Sequence, residues 1–429
     1  MLIRIQKLVN KKYCIFTPKL YLMSEHFHEE PFHQEDEQYF LKLEQELQAI
    51  EKELEVHSDN LELLFRKADI FYQKGEWDYA LETINEVLEK YPDSQEAKYK
   101  YAILKDMRGE NEEAISIFKE LLEKDPQNVN LMFNLAYSYY RLEDYENAEK
   151  YLEELLKLNP SSDILYFCSG FYYDMGDLGK AMDIMETIVE NEPNNPVFLH
   201  ELASLYNMDG MFEDAVKIMK KAIQLDPENV LYLIHYAEYC LDLGQSDKAL
   251  ESLEKALQIE PENPYIYAEK ANILNLIGRV EEAMKFIHKA LDLDPENSTF
   301  HIQKALIYMT SEQYQEAIQE FDIALKEKKE DNENFSVLLA KAQCLTLIGN
   351  YQESNEILNK IIEYEPYNLV LMAFMAYNYF QLNHKEEAQM WIQSILNEDN
   401  EFFAYAAEEH PFMDKILSDM AFQIFCNQN

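Results

Sequence analysis

Residues 229–262 read NVLYLIHYAEYCLDLGQSDKALESLEKALQIEPE, and residues 263–296 read NPYIYAEKANILNLIGRVEEAMKFIHKALDLDPE. The two stretches are equal in length, and asparagine, alanine, glycine and proline recur in them at the same places. Self-similarity at a fixed period of roughly 20–50 residues is typical of repeat proteins, in which each unit packs only against its neighbours. The two stretches therefore predict an array of repeated units.

The same period extends over most of the chain. The residue numbers of seven prolines increase in steps of 34, 34, 33, 34, 34 and 34: Pro92, Pro126, Pro160, Pro193, Pro227, Pro261 and Pro295. The next proline of the series, Pro366, follows after two further periods and a three-residue insertion near positions 330–333.

Two columns of small side chains run through ten such units. The first column is Ala68, Ala102, Ala136, Ser169, Ala203, Ala237, Ala271, Ala305, Ala342 and Ala376. The second, twelve positions later, is Ala80, Ala114, Ala148, Ala181, Ala215, Ala249, Ala283, Ala317, Ser354 and Ala388. Alanine at a fixed depth lets two helices approach closely. Apolar residues at helical spacing around each column, such as Leu64, Ala68 and Phe71, predict two amphipathic helices per unit.

Polar and glycine residues predict where these helices begin and end. Ten residues able to cap a helix N-terminus precede the first helices: Asn60, Ser94, Asn128, Ser161, Asn195, Asn229, Asn263, Asn297, Asn334 and Asn368. Seven glycines follow the first helices, where a left-handed backbone is needed: Gly75, Gly109, Gly176, Gly210, Gly244, Gly278 and Gly349. The prolines end the second helices.

A helix–turn–helix unit of this length with these columns resembles the tetratricopeptide repeat family. A third small position supports the resemblance in repeats five to eight, at Ala222, Ala256, Ala290 and Ala324. The chain departs from the pattern at Lys329 and Asn400, which replace the terminal proline, and at Ser169 and Ser354. The resemblance implies an all-α fold, a right-handed α-solenoid or superhelix of about ten repeats with helical caps.

We expect four segments along the chain. Residues 1–34 are predicted to be disordered, residues 35–60 to form an N-terminal capping helix, residues 61–402 to form the ten repeats, and residues 403–429 to form C-terminal capping helices. The segment from Met1 to Met23 contains five basic side chains and no acid, unlike the rest of the chain. Our hypothesis is that Met23 is the true start, and a short targeting segment is the alternative.

The composition restricts the partners. The formal net charge is −43, from 81 acidic and 38 basic residues, which argues against binding to nucleic acid or to an anionic membrane surface. Solubility alone explains such a charge, although a basic partner would be attracted. The five cysteines are far apart and form no CxxC pair, which favours a reducing compartment over a disulfide framework or a zinc site, and we expect a cytoplasmic protein.

No motif for catalysis or cofactor binding occurs. The sequence has no glycine-rich phosphate loop, no HExxH and no GxSxG. The histidines and glutamates between His26 and His33 have loose spacing and are read as a solvated tail rather than a metal site. His200, His235, His288 and His301 are predicted to be surface or partly packed residues. We therefore expect no enzyme activity, no cofactor and no metal.

The resemblance implies that the first helices line the concave groove, with their second, fifth, sixth, ninth, twelfth and thirteenth positions facing a ligand. In repeats one to four these positions hold the aromatic row, defined as Phe65, Tyr72, Tyr99, Phe133, Tyr137, Tyr140, Tyr166 and Tyr173. Tyrosine suits a protein interface because it has an apolar body and a polar tip. The alternative is that these side chains pack between neighbouring repeats.

From repeat four to repeat seven the same positions hold the acidic row, defined as Asp163, Asp174, Glu201, Glu238, Asp242 and Glu269. Carboxylates of one sign in a groove would favour a partner segment rich in Lys or Arg, although they also mirror the overall charge. The Lys and Asn side chains with which some family members hold chaperone C-terminal tails are missing, since Phe65 and Asp69 stand in their places. Binding of chaperone tails is therefore disfavoured.

The sequence thus predicts a non-enzymatic scaffold that binds a segment of a partner protein in the groove. The alternative is a structural or regulatory subunit that docks through its ends or its convex face. Self-association through the terminal helices stays open.

Overall fold

The computed structural model describes residues 34–158, 160–326, 334–409 and 412–419, together with Phe422 and Cys426. The predicted segment 1–34, apart from Gln34, lies outside these residues, as do Met23 and the histidines and glutamates between His26 and His33. The insertion near positions 330–333 also lies outside them.

The described residues form twenty-three α-helices and no β-strand. The helices are α1 (Gln34–Val56), α2 (Leu61–Gln73), α3 (Trp77–Lys90), α4 (Gln95–Met107), α5 (Asn111–Lys124), α6 (Val129–Arg141), α7 (Tyr145–Leu156), α8 (Ser162–Asp174), α9 (Leu178–Asn191), α10 (Pro196–Met208), α11 (Phe212–Leu225), α12 (Val230–Asp242), α13 (Ser246–Ile259), α14 (Pro264–Leu276), α15 (Val280–Leu293), α16 (Ser298–Thr310), α17 (Tyr314–Leu325), α18 (Phe335–Leu347), α19 (Tyr351–Ile362), α20 (Leu369–Gln381), α21 (Lys385–Glu398), α22 (Phe402–Glu409) and α23 (Met413–Leu417). None of these helices is long and apolar enough to cross a membrane.

The helices pack in the order in which they follow along the chain. From α2 to α21, each first helix packs against the second helix of its own repeat, and most second helices pack against the first helix of the next repeat. Packing restricted to neighbours is the arrangement of an α-solenoid. The predicted all-α solenoid fold is confirmed.

The described residues divide into two compact units between Pro193 and Asn194. The N-terminal unit contains α1–α9, and the C-terminal unit contains α10–α23. In the N-terminal unit Leu43 and Ile50 of α1 belong to one buried cluster with Leu64 of α2. In the C-terminal unit Phe402 of α22 and Phe422 belong to one buried cluster with residues of α16 to α21.

The small-residue columns lie where the two helices of a repeat cross. The alanines of both columns are buried in every repeat. At the two positions where serine replaces alanine, the hydroxyl crosses directly to the other column: Ser169 Oγ donates to the carbonyl oxygen of Ala181 at 2.8 Å, and Ser354 Oγ donates to that of Ala342 at 2.8 Å. A side chain can reach the partner backbone in this way only because the helices nearly touch.

Eight of the ten predicted N-caps accept a hydrogen bond from a backbone amide of their own helix. Ser161 and Asn334 precede α8 and α18 as predicted, but their side chains make no capping hydrogen bond. The prediction of ten capping side chains was wrong at these two positions. Ser161 has an extended backbone with ψ of 160°, compared with 98–110° at the eight working caps, and Asn334 has a helical backbone.

All seven predicted turn glycines have a positive φ, between 73° and 86°. The other three repeats place Glu143, Glu312 and Asn383 at this turn, with φ of 58° to 63°. The left-handed backbone is therefore a requirement of the turn itself, and it is imposed even where the residue has a Cβ atom.

We predict that Gly278→Ala lowers the free energy of unfolding by about 1 kcal/mol, because a Cβ atom strains a left-handed backbone and the loss of chain entropy in the unfolded state offsets only part of that strain. An added Cβ atom meets no heavy atom within 4 Å, so the effect comes from the backbone alone. Urea unfolding followed by circular dichroism measures it.

Gly179→Ala is the control, because Gly179 lies within α9 without a positive φ. There alanine is the better helix former and is expected to leave stability unchanged or raise it by up to about 1 kcal/mol. Equal effects of the two substitutions would contradict the backbone argument.

Candidate protein-binding surfaces

The aromatic row lies on four consecutive first helices of the N-terminal unit, α2, α4, α6 and α8. Its six tyrosines are half-buried. Its two phenylalanines, Phe65 and Phe133, have only 8% of their surface exposed. Most of the surface of these two rings is therefore covered by packing between helices, which is the alternative considered for the whole row.

Three tyrosines from successive repeats lie close enough to influence one another. Burial raises the pKa of Tyr72 to about 12, and the nearby Tyr137 and Tyr99 contribute to the rise. Tyr99 Oη accepts a hydrogen bond from Asn134 Nδ2 at 2.9 Å. These phenols are neutral at pH 7, so this part of the surface offers rings and hydroxyl groups without charge.

Further along the row, three rings surround Phe167 of α8. The ring centroids of Phe133, Tyr137 and Tyr140 lie 4.9, 5.6 and 6.3 Å from that of Phe167. The sequence prediction did not include Phe167. The signal was present, because Phe167 is the sixth residue of its helix and the sixth position was among those expected to face a ligand.

One tyrosine connects the aromatic row to the acidic row. Tyr140 Oη donates a hydrogen bond to Asp174 Oδ2 at 2.6 Å. Burial and this carboxylate raise the pKa of Tyr140. Asp174 is exposed, as is Asp163, the other acidic residue of the row in the N-terminal unit.

An open cavity of about 640 Å³ lies at the beginning of the aromatic row, between α1, α2 and α4. Ile50, Leu61, Leu63 and Phe65 form its apolar lining. Four carboxylates and one arginine form the rest: Glu46, Glu62, Asp69, Glu96 and Arg66.

Two basic residues at the cavity form ion pairs with carboxylates that line it. Arg66 donates two hydrogen bonds to Glu46, at 2.7 and 3.0 Å, and this contact lowers the pKa of Glu46. Lys100 pairs with Asp69 at 2.5 Å. The cavity is therefore lined by apolar side chains and by four carboxylates, of which Glu46 and Asp69 already pair with basic residues.

The other four acidic residues lie in the C-terminal unit, on α10, α12 and α14, and we call them the C-terminal acidic row: Glu201, Glu238, Asp242 and Glu269. All four are half-buried. The contacts around them are polar, since Asn207 Nδ2 donates to Asp242 Oδ2 at 3.2 Å and Asn272 Nδ2 donates to Glu269 Oε2 at 3.4 Å. The sequence prediction that these residues contact a partner stays a prediction.

Two histidines meet beside the C-terminal acidic row. His200 Nε2 lies 2.6 Å from His235 Nδ1, and the two rings stack with centroids 4.8 Å apart. Tyr232 stacks on His200, and Glu201 lies 3.6 Å from His200 Nδ1. His235 is only 5% exposed, and burial, helped by His200, lowers its pKa to about 3.

The interpretation of His235 as a surface or partly packed residue was therefore wrong. The sequence placed His200 and His235 in different repeats, but the fifth residue of one first helix reaches the sixth residue of the next. The same offset joins Ser204 to Tyr239, whose hydroxyl groups lie 2.7 Å apart. In the described part of the chain, no three His, Cys, Asp or Glu side chains are arranged to hold a metal ion.

Family models match most of the repeat region. One, described as the N-terminal ARM repeat of tetratricopeptide repeat protein 21, matches residues 171–389, half of the chain. Two more, both described as tetratricopeptide repeat, match residues 107–169 and residues 47–95 and 65–129. No curated protein matches the chain at a significant level.

Three similar solved structures cover much of the chain at low identity. A tetratricopeptide repeat protein from Parabacteroides merdae is 17% identical, with 56% of this chain and 93% of that chain covered and a TM-score of 0.44. The human IFIT1 dimer with m7Gppp-AAAA is 20% identical, with 79% and 84% covered and a TM-score of 0.45. Yeast Tom70 is 18% identical, with 84% and 98% covered and a TM-score of 0.39.

We predict that acid weakens the fold through His235. Its pKa is lower in the folded chain than the ordinary value of 6.5, so the folded state binds the proton less well than the unfolded state does. The contribution of His235 to the free energy of unfolding is fully present above pH 6.5 and is lost as the pH drops towards 3. The loss is about 2 kcal/mol between pH 6.5 and pH 5. Unfolding free energies measured at these two pH values give the loss.

His235→Phe should remove most of that loss, whereas His288→Phe, at an exposed position, should leave it unchanged. A wild-type pH dependence that persists in His235→Phe would show that other groups cause it.

Proposed function

The chain belongs to the tetratricopeptide repeat family, and from that premise we propose that it is a non-enzymatic scaffold that binds a segment of a partner protein along the first helices of its N-terminal unit. Proteins with these repeats are generally interaction scaffolds without enzyme activity. The fold therefore supports protein binding in general, and the side chains of the first helices support a particular surface.

The observation that carries the proposal is the run of half-buried tyrosines on four consecutive first helices. A half-buried tyrosine keeps part of its ring accessible, and ordering it costs little because the protein already restrains it. Phe65 and Phe133 are buried, and Phe133 stacks against Tyr137 with ring centroids 6.4 Å apart. The tyrosines supply the proposed contact area, and Phe133 restrains Tyr137.

The exposed carboxylates favour a basic partner segment. Asp163 and Asp174 lie on α8, at the end of the aromatic row, and the whole chain has a net charge of −43. A field of one sign accelerates the encounter with a segment that carries Lys or Arg and repels acidic segments. Chaperone C-terminal tails are acidic and stay disfavoured as partners.

A reducing compartment such as the cytoplasm fits the cysteines of the described residues. Cys168 and Cys344 are free and buried, and burial raises the pKa of each thiol to about 12. Neutral buried thiols pack as small apolar groups and do not require oxidation.

We predict that Tyr140→Ala combined with Tyr173→Ala reduces the amount of captured partner by at least about tenfold, because two large contact residues of the interface are lost. Purification of the tagged chain from cells of its source, followed by mass spectrometry, measures the captured partner. Circular dichroism at equal concentration verifies that the helices remain.

Tyr364→Ala combined with Tyr367→Ala is the matched control, because these two tyrosines are highly exposed and lie outside the aromatic row. The control should capture the partner as wild type does. If the same partners remain with both double variants, binding takes place at the ends or on the convex face, and the proposed surface is wrong.

A further inference from the structure

The chain turns back on itself after its last repeat. We call the described residues between positions 412 and 426 the C-terminal strap, which includes α23. Lys415 of the strap pairs with Glu312 at 2.7 Å, and its ammonium group lies 5.5 Å from the ring centroid of Tyr314. Both partners lie at the turn between α16 and α17, in the eighth repeat. The strap therefore reaches a repeat two units before the last one.

The strap buries an apolar face against the last repeats. Five of its side chains have at most 9% of their surface exposed: Phe412, Met413, Ile416, Leu417 and Phe422. They belong to one buried cluster with residues of α16 to α21. The ring of Phe422 packs on Tyr377 and Phe380 of α20, with centroids 5.2 and 5.4 Å away. Apolar burial therefore supplies most of the attraction that holds the strap, because exposed ion pairs contribute little.

Polar contacts attach the strap to the same helix. Gln381 Nε2 donates to Asp419 Oδ2 at 2.7 Å, and Tyr377 Oη donates to the same oxygen at 3.4 Å. Tyr377, Phe380 and Gln381 are the ninth, twelfth and thirteenth residues of α20. These three positions of a first helix were among those expected to face a ligand. On α20 a segment of the chain itself therefore contacts them.

The turn residue that pairs with Lys415 is an exception among the repeats. Seven repeats have glycine at this turn, whereas Glu312 has a Cβ atom and a φ of 62°. A left-handed backbone costs stability when the residue is not glycine. Glu143 has a φ of 58° at the same turn of the third repeat, but its exposed side chain makes no ion pair within the described part of the chain. The contact with Lys415 thus gives Glu312 a role that glycine could not fill.

We propose that the C-terminal strap is an autoinhibitory segment. While it is docked, it occupies on α20 the positions that hold tyrosines of the aromatic row on α6, and it opens without unfolding of the repeats. The helix of the strap has only five residues and is not one of the paired helices of the repeats, so the strap can detach while every repeat keeps its neighbours. The inference rests on the proposed function only for the role of first helices in partner binding, because opening of the strap is measured without a partner.

Cys426 is a natural reporter of this opening. It packs against the same buried cluster, and burial raises the pKa of its thiol to about 12. Because the thiolate is the reactive form, release of the strap should accelerate alkylation. The test is the rate at which iodoacetamide labels Cys426 in the full chain. Peptide mapping by mass spectrometry separates this cysteine from the other four.

Glu312→Gly separates the strap from the rest of the fold, because it removes the partner of Lys415 and supplies the residue type that suits the turn. Labelling of Cys426 should become about two- to fivefold faster, which is the worth of an exposed ion pair. The urea midpoint of the repeats should stay equal or rise. Glu143→Gly is the matched control, since it changes the same turn of the third repeat. It should label at the wild-type rate.

Phe422→Ser should accelerate labelling at least about tenfold, because a large buried ring is lost from the docked strap. Circular dichroism verifies that the repeats remain helical. The freed site on α20 should then bind a synthetic peptide with the sequence of residues 410–426. The wild type should bind this peptide at least about tenfold more weakly, because its own strap competes at a high effective concentration. Fluorescence anisotropy of the labelled peptide measures both affinities.

Three results would overturn the inference. Equal labelling rates in Glu312→Gly and Glu143→Gly would show that the ion pair does not hold the strap. Labelling of Cys426 only in step with the fully buried Cys344 would show that the strap opens by global unfolding alone. Equal peptide affinities of the wild type and Phe422→Ser would show that the strap does not block α20.

Failure of this inference and failure of the proposed function are distinguishable. Tyr140→Ala combined with Tyr173→Ala should leave the labelling rate of Cys426 unchanged, whatever its effect on partner capture, because both tyrosines lie in the N-terminal unit. A strap that never opens would leave the N-terminal surface intact as the proposed binding site.

Discussion

The close crossing of the two helices in each repeat, at the buried alanine columns, is the constraint on which the rest of the structure depends. The hydrogen bonds from Ser169 to Ala181 and from Ser354 to Ala342 show how near the backbones come, since a serine hydroxyl spans the gap at 2.8 Å. A larger side chain in either column would force the helices apart and cost about 1–3 kcal/mol. Because each repeat contacts only its neighbours, the crossing also fixes how the next first helix is presented.

That spacing determines which side chains can meet on the exposed face of the first helices. A side chain on one first helix can contact a residue on the next first helix that lies one position beyond its own equivalent there. The pairs Tyr99–Asn134, His200–His235 and Ser204–Tyr239 are examples. Several hydrogen bonds between repeats on this face therefore share one offset. Rows of aromatic or acidic residues follow from this rule, because the repeat places equivalent positions side by side without any help from loops.

The sequence was sufficient for the helices and insufficient for the surfaces, and the reason is physical. Asn229, Gly244, Ala249 and Pro261 each have one local role, and such roles can be recognised from residue type and spacing alone. Phe133 and Tyr140 instead lie against Phe167 of the next repeat, a contact that depends on how the two repeats pack. The contact of His200 with His235 requires an offset one position longer than the repeat, and the repeat period does not reveal it. The exposure of Val197, Leu231 and Tyr265 likewise depends on what their neighbours leave uncovered.

Burial of one histidine keeps the acidic surface of the C-terminal unit acidic. A protonated His235 would place a positive charge next to Glu201 and Glu238 and would offset part of their negative charge. Because the low pKa of His235 keeps it neutral at pH 7, the histidine contributes ring stacking and a hydrogen bond without a charge. The tyrosines of the N-terminal unit follow the same principle, since burial raises the pKa of Tyr72 and Tyr140 and keeps both phenols neutral. The carboxylates of the acidic row therefore carry the charge of these first helices, while His235 and Tyr140 contribute ring contacts and hydrogen bonds without adding a positive charge.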